Sequence, residues 1–139
     1  MPDDEQSTLL IIKPDAVRRG LIGEILSRIE RKGLRIEALE LMRIDRDKAE
    51  RHYDEHREKP FFGDLVDFIT GGDVVVAKVT GREAVSVLRA LMGATDPATS
   101  PLGTIRGDYG IQITENLVHG SDSPESARRE LALFFPEAS

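Results

Sequence analysis

Two short runs, TLLII at 8–12 and VVVAKV at 74–79, limit most sharply what this chain can fold into. Both are β-rich and apolar, and each is followed by a segment of helical spacing. TLLII stops at Lys13 and Pro14, as a buried strand does, and Ile22, Ile25, Leu26 and Ile29 then recur at the interval of a helix that Gly33 ends. VVVAKV leads into EAVSVLRALM at 83–92, whose Val85, Leu88 and Met92 fall on one side. Residues 34–44 alternate loosely as a half-buried strand, and 111–118 fit a fourth strand. Residues 46–57 and 61–70 read as two short helices parted by Pro60, and Gly71-Gly72 forms the next break. Ser123-Pro124 opens a last helix with a capping residue and its preferred first residue, and Ala127, Leu131 and Phe134 supply its apolar stripe. With the two short helices set aside, the order is strand-helix-strand twice over. A split βαβ sandwich of ferredoxin-like type and an open parallel sheet both satisfy that order.

A chain of 139 residues with 40% hydrophobic content fills one core, so 1–139 is expected to be a single domain with residues 1–6 as a flexible amino terminus. No run approaches the roughly 20 apolar residues of a membrane helix, and the acidic start MPDDEQS has no signal-peptide stretch behind it. The reading is a soluble, cytoplasmic protein with no membrane partner. The absence of cysteine removes disulfides, thiolate metal sites and cysteine nucleophiles. Nineteen basic against 25 acidic residues give a formal charge of -6, the wrong sign for coating nucleic acid, so anionic ligands need a local basic pocket.

Residues 93–110, GATDPATSPLGTIRGDYG, form a long stretch of Gly, Pro, Thr and Asp without periodicity. Loops of that length in a small domain are usually functional or disordered, and the functional reading is preferred here.

Candidate chemistry centres on His119, in NLVHGSDSPESARREL, where a strand meets a helix whose first amides favour anions. An imidazole with an ordinary pKa is roughly three-quarters neutral at pH 7 and can attack phosphorus without a separate base. Glu130, two turns into the following helix, faces back to fix the ring's tautomer. A surface histidine capping a turn is the plain alternative. His52 and His56 stand four apart on an expected helix, a spacing that can bind one metal ion. A metal-dependent hydrolase using these two and His119 is therefore one rival, and a solvated helical face another. Phosphate-loop patterns are absent. Lys13, Arg89 and Arg106 are each ordinary surface charges taken singly, and together with His119 a set for neutralising a polyphosphate. Pro60-Phe61-Phe62 places two rings at a helix start, where one packs inward and the other can stay exposed as a platform for a base.

The assembled blocks IIKPDAVRRGLIGEI, EKPFFGDLV, RALMGATDP, GTIRGDYG and NLVHGSDSPESARREL resemble the nucleoside diphosphate kinase family over about residues 7–135. The resemblance implies a ferredoxin-like α/β sandwich, a four-stranded antiparallel sheet covered by helices. It implies ping-pong transfer of the γ-phosphate from a nucleoside triphosphate to a diphosphate, with low base selectivity. In that pattern His119 is the phosphorylated histidine, attacking through its δ nitrogen, with Glu130 orienting it and Ser121 beside them. Phe61 matches the ring under the base, and Arg89, Thr95 and Arg106 the phosphate-binding set. Lys13 and Asn116 match residues at the sugar hydroxyls, with Lys13 also near the transferred group, and Tyr53 a pocket tyrosine near the histidine. The implied cofactor is Mg²⁺, held mainly by the nucleotide's phosphates, so no protein metal ligand is expected. The implied assembly is a homo-oligomer, a hexamer in preference to a tetramer. Ala16, Asp96 and Leu102 depart from the commonest family residues and fall outside the site set. An RNA-binding module on the same fold is a further rival, disfavoured by the acidic charge and the missing aromatic strand signature, so no specific nucleic acid is expected.

Overall fold

A computed structural model of the protein describes residues 5–113 and 115–136. Four strands, β1 (Glu5–Ile12), β2 (Arg35–Met42), β3 (Val74–Arg82) and β4 (Val118–Gly120), form one sheet in the order β2-β3-β1-β4. Every neighbouring pair is antiparallel. Strand β3 lies between β1 and β2, and β1 between β3 and β4, which makes two interleaved split βαβ units and resolves the topology as ferredoxin-like.

The inner strands β1 and β3 run apolar without alternation where both faces of the sheet are covered, whereas the outer strand β2 is largely exposed. On one face Leu10, Ile12, Val75, Ala77 and Val79 pack under α2 (Ile22–Lys32) and α5 (Ala84–Met92), through Ile25, Ile29, Leu88 and Met92. On the other, Leu9, Ile11, Val74 and Val76 meet Ala49 of α3 (Arg46–His52), Val66 and Ile69 of α4 (Phe62–Thr70), and Leu131 and Phe134 of α7 (Pro124–Phe134). The short α1 (Pro14–Arg18) follows β1 directly, and α6 (Ile105–Tyr109) lies within the long connection after α5. The second face is where the sequence's two extra helices belong. Gly33 closes α2 at φ 105°, a conformation glycine adopts without strain, and the Ser123 hydroxyl accepts from the Ser126 amide 3.0 Å away to cap α7.

Several boundaries differ from the sequence reading. Strand β1 begins at Glu5, paired with Arg82, inside the segment expected to be flexible; residues 1–4 lie outside those described. Helix α3 stops at His52 instead of continuing to 57, and Asp54–His56 form a separate 3-10 turn. The fourth strand is not 111–118 but 118–120, because Leu117 takes a left-handed φ of 75° that no strand accommodates. Asp15 holds that conformation by accepting the Leu117 amide on Oδ2 at 3.1 Å.

The aperiodic 93–110 stretch is ordered by its own polar groups. Asp96 accepts the Ala98 amide at the Pro97–Thr99 turn, Thr104 caps α6 through the Gly107 amide, and Asp108 pairs with Arg28 at 2.8 Å. Of the three departures from the family pattern, Asp96 is thus a cap, Ala16 is fully buried, and Leu102 is 86% exposed.

Candidate active site

His119 is the middle residue of β4 and pairs with Ile11, so its side chain shares the face that Ile11 buries against α3 and α7. The strand places it there, not a turn. Its Nε2 lies 2.8 Å from Glu130 Oε1, and the Ser121 hydroxyl donates to the same oxygen at 2.7 Å. Ser121 is itself fixed by the β1 backbone, its Oγ accepting the Leu9 amide at 3.3 Å. Burial raises the Glu130 pKa, but the hydrogen bonds and charge of His119, with the Ser121 bond, more than offset it and leave the carboxyl below its usual range. An ionised Glu130 accepts a proton-bearing Nε2, and the neutral ring then carries its lone pair on Nδ1. Nδ1 has no hydrogen-bond partner among the described residues. The arrangement presents a nucleophilic nitrogen whose opposite side is already bound.

Three basic groups approach from other elements. Lys13 closes β1, is 8% exposed, and donates through Nζ to Asn116 Oδ1 at 2.9 Å; burial and the nearby Arg106 charge bring its pKa down to about 8. Arg106, on α6, donates to the carbonyls of Asn116, Gly93 and Val118 at 3.1, 3.3 and 2.7 Å. Burial and then the Arg89 charge lower its pKa to about 10. Arg89, exposed on α5, reaches the Gly120 carbonyl at 3.3 Å. The two arginines therefore cover the carbonyls on either side of His119 along the outer edge of β4.

The remaining expected residues divide. Asn116 bridges Lys13 and the Thr95 carbonyl, the latter at 3.3 Å, so Thr95 joins this network by its backbone while its residue is exposed. Phe61 is 43% exposed, near His56 at a centroid distance of 5.6 Å, whereas Phe62 packs on the core. One ring inward and one outward is what the sequence anticipated. Tyr53 is buried, and its hydroxyl pKa is pushed up by burial and the Glu130 charge. It stands against His52 at 4.7 Å, and His52 against His119 at 4.6 Å.

The metal pair read at four-residue spacing is not formed. The chain leaves the α-helix after His52, so His56 sits in the following turn, and His52, His119 and Glu130 are the residues that converge.

A sequence model of the family described as Nucleoside diphosphate kinase matches residues 6–139. The chain belongs to the nucleoside diphosphate kinase family. It is accordingly a phosphotransferase. A nucleoside diphosphate kinase of Thermobifida fusca is 58% identical over 132 residues, covering 95% of this chain and 98% of that one. One of Rubrobacter xylanophilus is 61% identical over 130 residues, covering 94% and 98%. Among solved structures, a halophilic nucleoside diphosphate kinase from Halobacterium salinarum in complex with CDP superposes with a TM-score of 0.93 at 48% identity, covering 96% of this chain and 90% of that one. A nucleoside diphosphate kinase family protein from Babesia bovis gives a TM-score of 0.92 at 49% identity, covering 95% and 90%.

Two residues beside this candidate site have roles that the sequence reading did not give them. Asp15 stands in sequence only as part of Lys-Pro-Asp, although a carboxylate directly after a buried strand end is a signal that it ties something down, here the Leu117 amide. His52 enters the sequence reading only as a partner of His56 in a set that also recruits His119, and its direct ring contact with His119 is set by tertiary packing.

Proposed function

We propose that His119 carries a phosphoryl group on Nδ1 between a nucleoside triphosphate donor and a nucleoside diphosphate acceptor, in a ping-pong reaction of low base selectivity. The observation carrying this reading is the Glu130 carboxylate on Nε2, which leaves Nδ1 as the attacking atom. In the first half-reaction the Nδ1 lone pair attacks the γ-phosphorus, the bond to the bridging oxygen breaks, and the nucleoside diphosphate leaves with that oxygen. Glu130 stabilises the ring as it becomes cationic, and Ser121 keeps the carboxylate in place. In the second, a terminal oxygen of the acceptor attacks phosphorus and the pair returns to Nδ1.

Lys13, Arg89 and Arg106 supply positive charge for the phosphates, with Thr95 offering a hydroxyl from the same loop. Lys13 and Asn116, already bonded to each other, present donors and an acceptor to the sugar hydroxyls, and Tyr53 closes the pocket behind His52. Phe61 stacks on the base without reading its edge, which explains low selectivity, because discrimination arises from polar groups left unpaired by the wrong partner. Mg²⁺ fits this surface only as a companion of the nucleotide. The one carboxylate at His119 stands among imidazoles rather than the hard oxygens Mg²⁺ requires, and Lys13, Arg89 and Arg106 are cationic, so the phosphates themselves would hold the ion and it would offset their charge.

We also expect a homo-oligomer, a hexamer before a tetramer. Strand β2 is an outer strand of the sheet, with Leu39 and Leu41 exposed at 54% and 62%. A monomer by light scattering at micromolar concentration would defeat this. No helix among the described residues is long and apolar enough to cross a membrane, and the cysteine-free sequence suits the reducing cytoplasm in which we place the enzyme.

The reaction is tested by mixing protein with ATP labelled at the γ-phosphate and Mg²⁺, then denaturing it. Acid-labile, base-stable label on the wild type, absent from His119→Ala and discharged by GDP, is the expected result. Nucleotide binding by a folded protein that takes no label overturns the reading.

A further inference from the structure

His52 is not accounted for by that reaction. It ends α3, is 3% exposed, and neither ring nitrogen has a hydrogen-bond partner among the described residues. Leaving a buried polar atom unpaired is costly, and native folds retain few such groups without a use. Around it stand Tyr53 at 4.7 Å, Phe134 at 5.5 Å and His119 at 4.6 Å, all in edge-on ring contacts that satisfy neither nitrogen. One ligand atom each from His52, His119 and Glu130 lie within 4.8 Å of one another.

We propose that His52, His119 and Glu130 form a binding site for a borderline divalent cation of the Zn²⁺ class, whose occupancy silences the nucleophile. Two imidazoles and one carboxylate are a donor set that Zn²⁺ accepts with its fourth position left open. Tetrahedral bonds of about 2.0–2.1 Å place ligand atoms roughly 3.4 Å apart, so a modest side-chain rotation closes the set. The fourth position can take water, since the His119 side chain is 21% exposed. Mg²⁺ does not compete, because it demands an octahedron of hard oxygens that two imidazoles cannot give. His52 brings a ring whose two nitrogens are both buried and unpaired, so a donor is already aimed into the cluster.

Silencing follows from proton bookkeeping on the His119 ring. If the metal takes Nδ1, the attacking pair is occupied. If it takes Nε2, the neutral ring keeps its single proton on Nδ1, and the attacking pair is again lost. Either mode excludes phosphoryl transfer while the ion stays.

The test begins with Co²⁺ titrated into the full-length, nucleotide-free protein. Expected are the intense visible bands of a tetrahedral ion at one equivalent per chain, erased by Zn²⁺. His52→Asn should weaken binding tenfold or more, and His56→Asn, which alters a ring outside the cluster, should not. In the unmodified protein, Zn²⁺ should shift the ring ¹⁵N resonances of His52 and His119 and leave those of His56 in place, a readout that needs no variant to fold. Weak octahedral Co²⁺ bands alone, or equal binding by His52→Asn, overturns the site. Zn²⁺ added before labelled ATP and Mg²⁺ should cut phosphoenzyme formation at least tenfold, restored by a zinc-selective chelator. This last arm rests on the phosphohistidine reading. Metal-free protein that takes no label refutes that reading and leaves the Co²⁺ result standing, whereas bound Co²⁺ with undiminished labelling refutes the silencing.

Discussion

Glu130 stands 11 residues beyond His119, yet its Oε1 lies 2.8 Å from the histidine's Nε2. Glu130→Gln preserves the shape and removes the charge. A hydrogen bond to a charged group contributes about 1.5–3 kcal/mol, so rapid-quench labelling should slow roughly 10- to 100-fold with the far-ultraviolet spectrum unchanged. An unaltered burst would mean the carboxylate's charge has no part in the attack.

Arg106 is both a phosphate candidate and a strap, since its guanidinium holds three backbone carbonyls from Gly93, Asn116 and Val118. Arg106→Ala should therefore destabilise the fold by about 2–4 kcal/mol, because buried carbonyls lose their donors, besides abolishing turnover. Urea midpoints decide it. A variant as stable as wild type but inactive would assign the residue to phosphate alone.

Phe61 is different, half out in solvent with little to lose on truncation. Phe61→Ala should raise KM by roughly 5- to 100-fold, the equivalent of about 1–3 kcal/mol of stacking, and by the same factor for purine and pyrimidine diphosphates. A loss confined to one base class would show that the pocket reads base edges.

The lowered pKa of Lys13 puts its loss of charge at about pH 8. If that charge serves the phosphates, kcat/KM for the diphosphate should fall as pH rises through about 8, and Lys13→Arg should flatten the profile up to pH 9. The stability effect has the opposite sense. Between about pH 8 and the ordinary lysine value near 10.5 the unfolded chain binds the proton that the folded chain lacks, so this residue's contribution improves with rising pH.

On the acid side His52 sets a second slope. Its folded pKa of about 3 lies below the ordinary 6.5, so the unfolded chain binds the extra proton and stability declines as pH falls through that window. Glu130, also depressed, adds to the loss at still lower pH. Comparing urea midpoints at pH 7.5 and 5 for wild type and His52→Asn should show a smaller drop in the variant. Equal drops would place the acid sensitivity elsewhere.

Much of the scaffold was legible because it is written locally. β1, β3, α2, α5 and α7 each pair an apolar period with a stop signal, and the Ser123 cap appears where Ser-Pro announced it. What was illegible depends on contacts across the chain. The end of α3 and the left-handed Leu117 are set by packing and by Asp15, and a three-residue strand has no periodicity to detect. The order within 93–110 comes from Asp96, Thr104 and Asp108 used as caps, which in sequence look like ordinary loop composition. The candidate site followed the same division. His119 and Glu130 are readable as a histidine placed before a helix, Lys13 as one of three basic groups gathered with His119, and Asn116 only through family likeness, whereas His52 is readable only within a metal set with His56 that does not form.

The three pairs that bind β4 to β1 have one last consequence. Side chains alternate across a strand, so sliding β4 by one residue would swing His119 toward α5, away from Glu130. In the proposed reaction, competence is thus a parity condition on a very short hydrogen-bonded ladder. Arg89 and Arg106, clasping the carbonyls at 120 and 118, pin that ladder from outside. A phosphate that engaged the same two arginines would be gripping the latch that keeps the His119 ring on the side of Glu130.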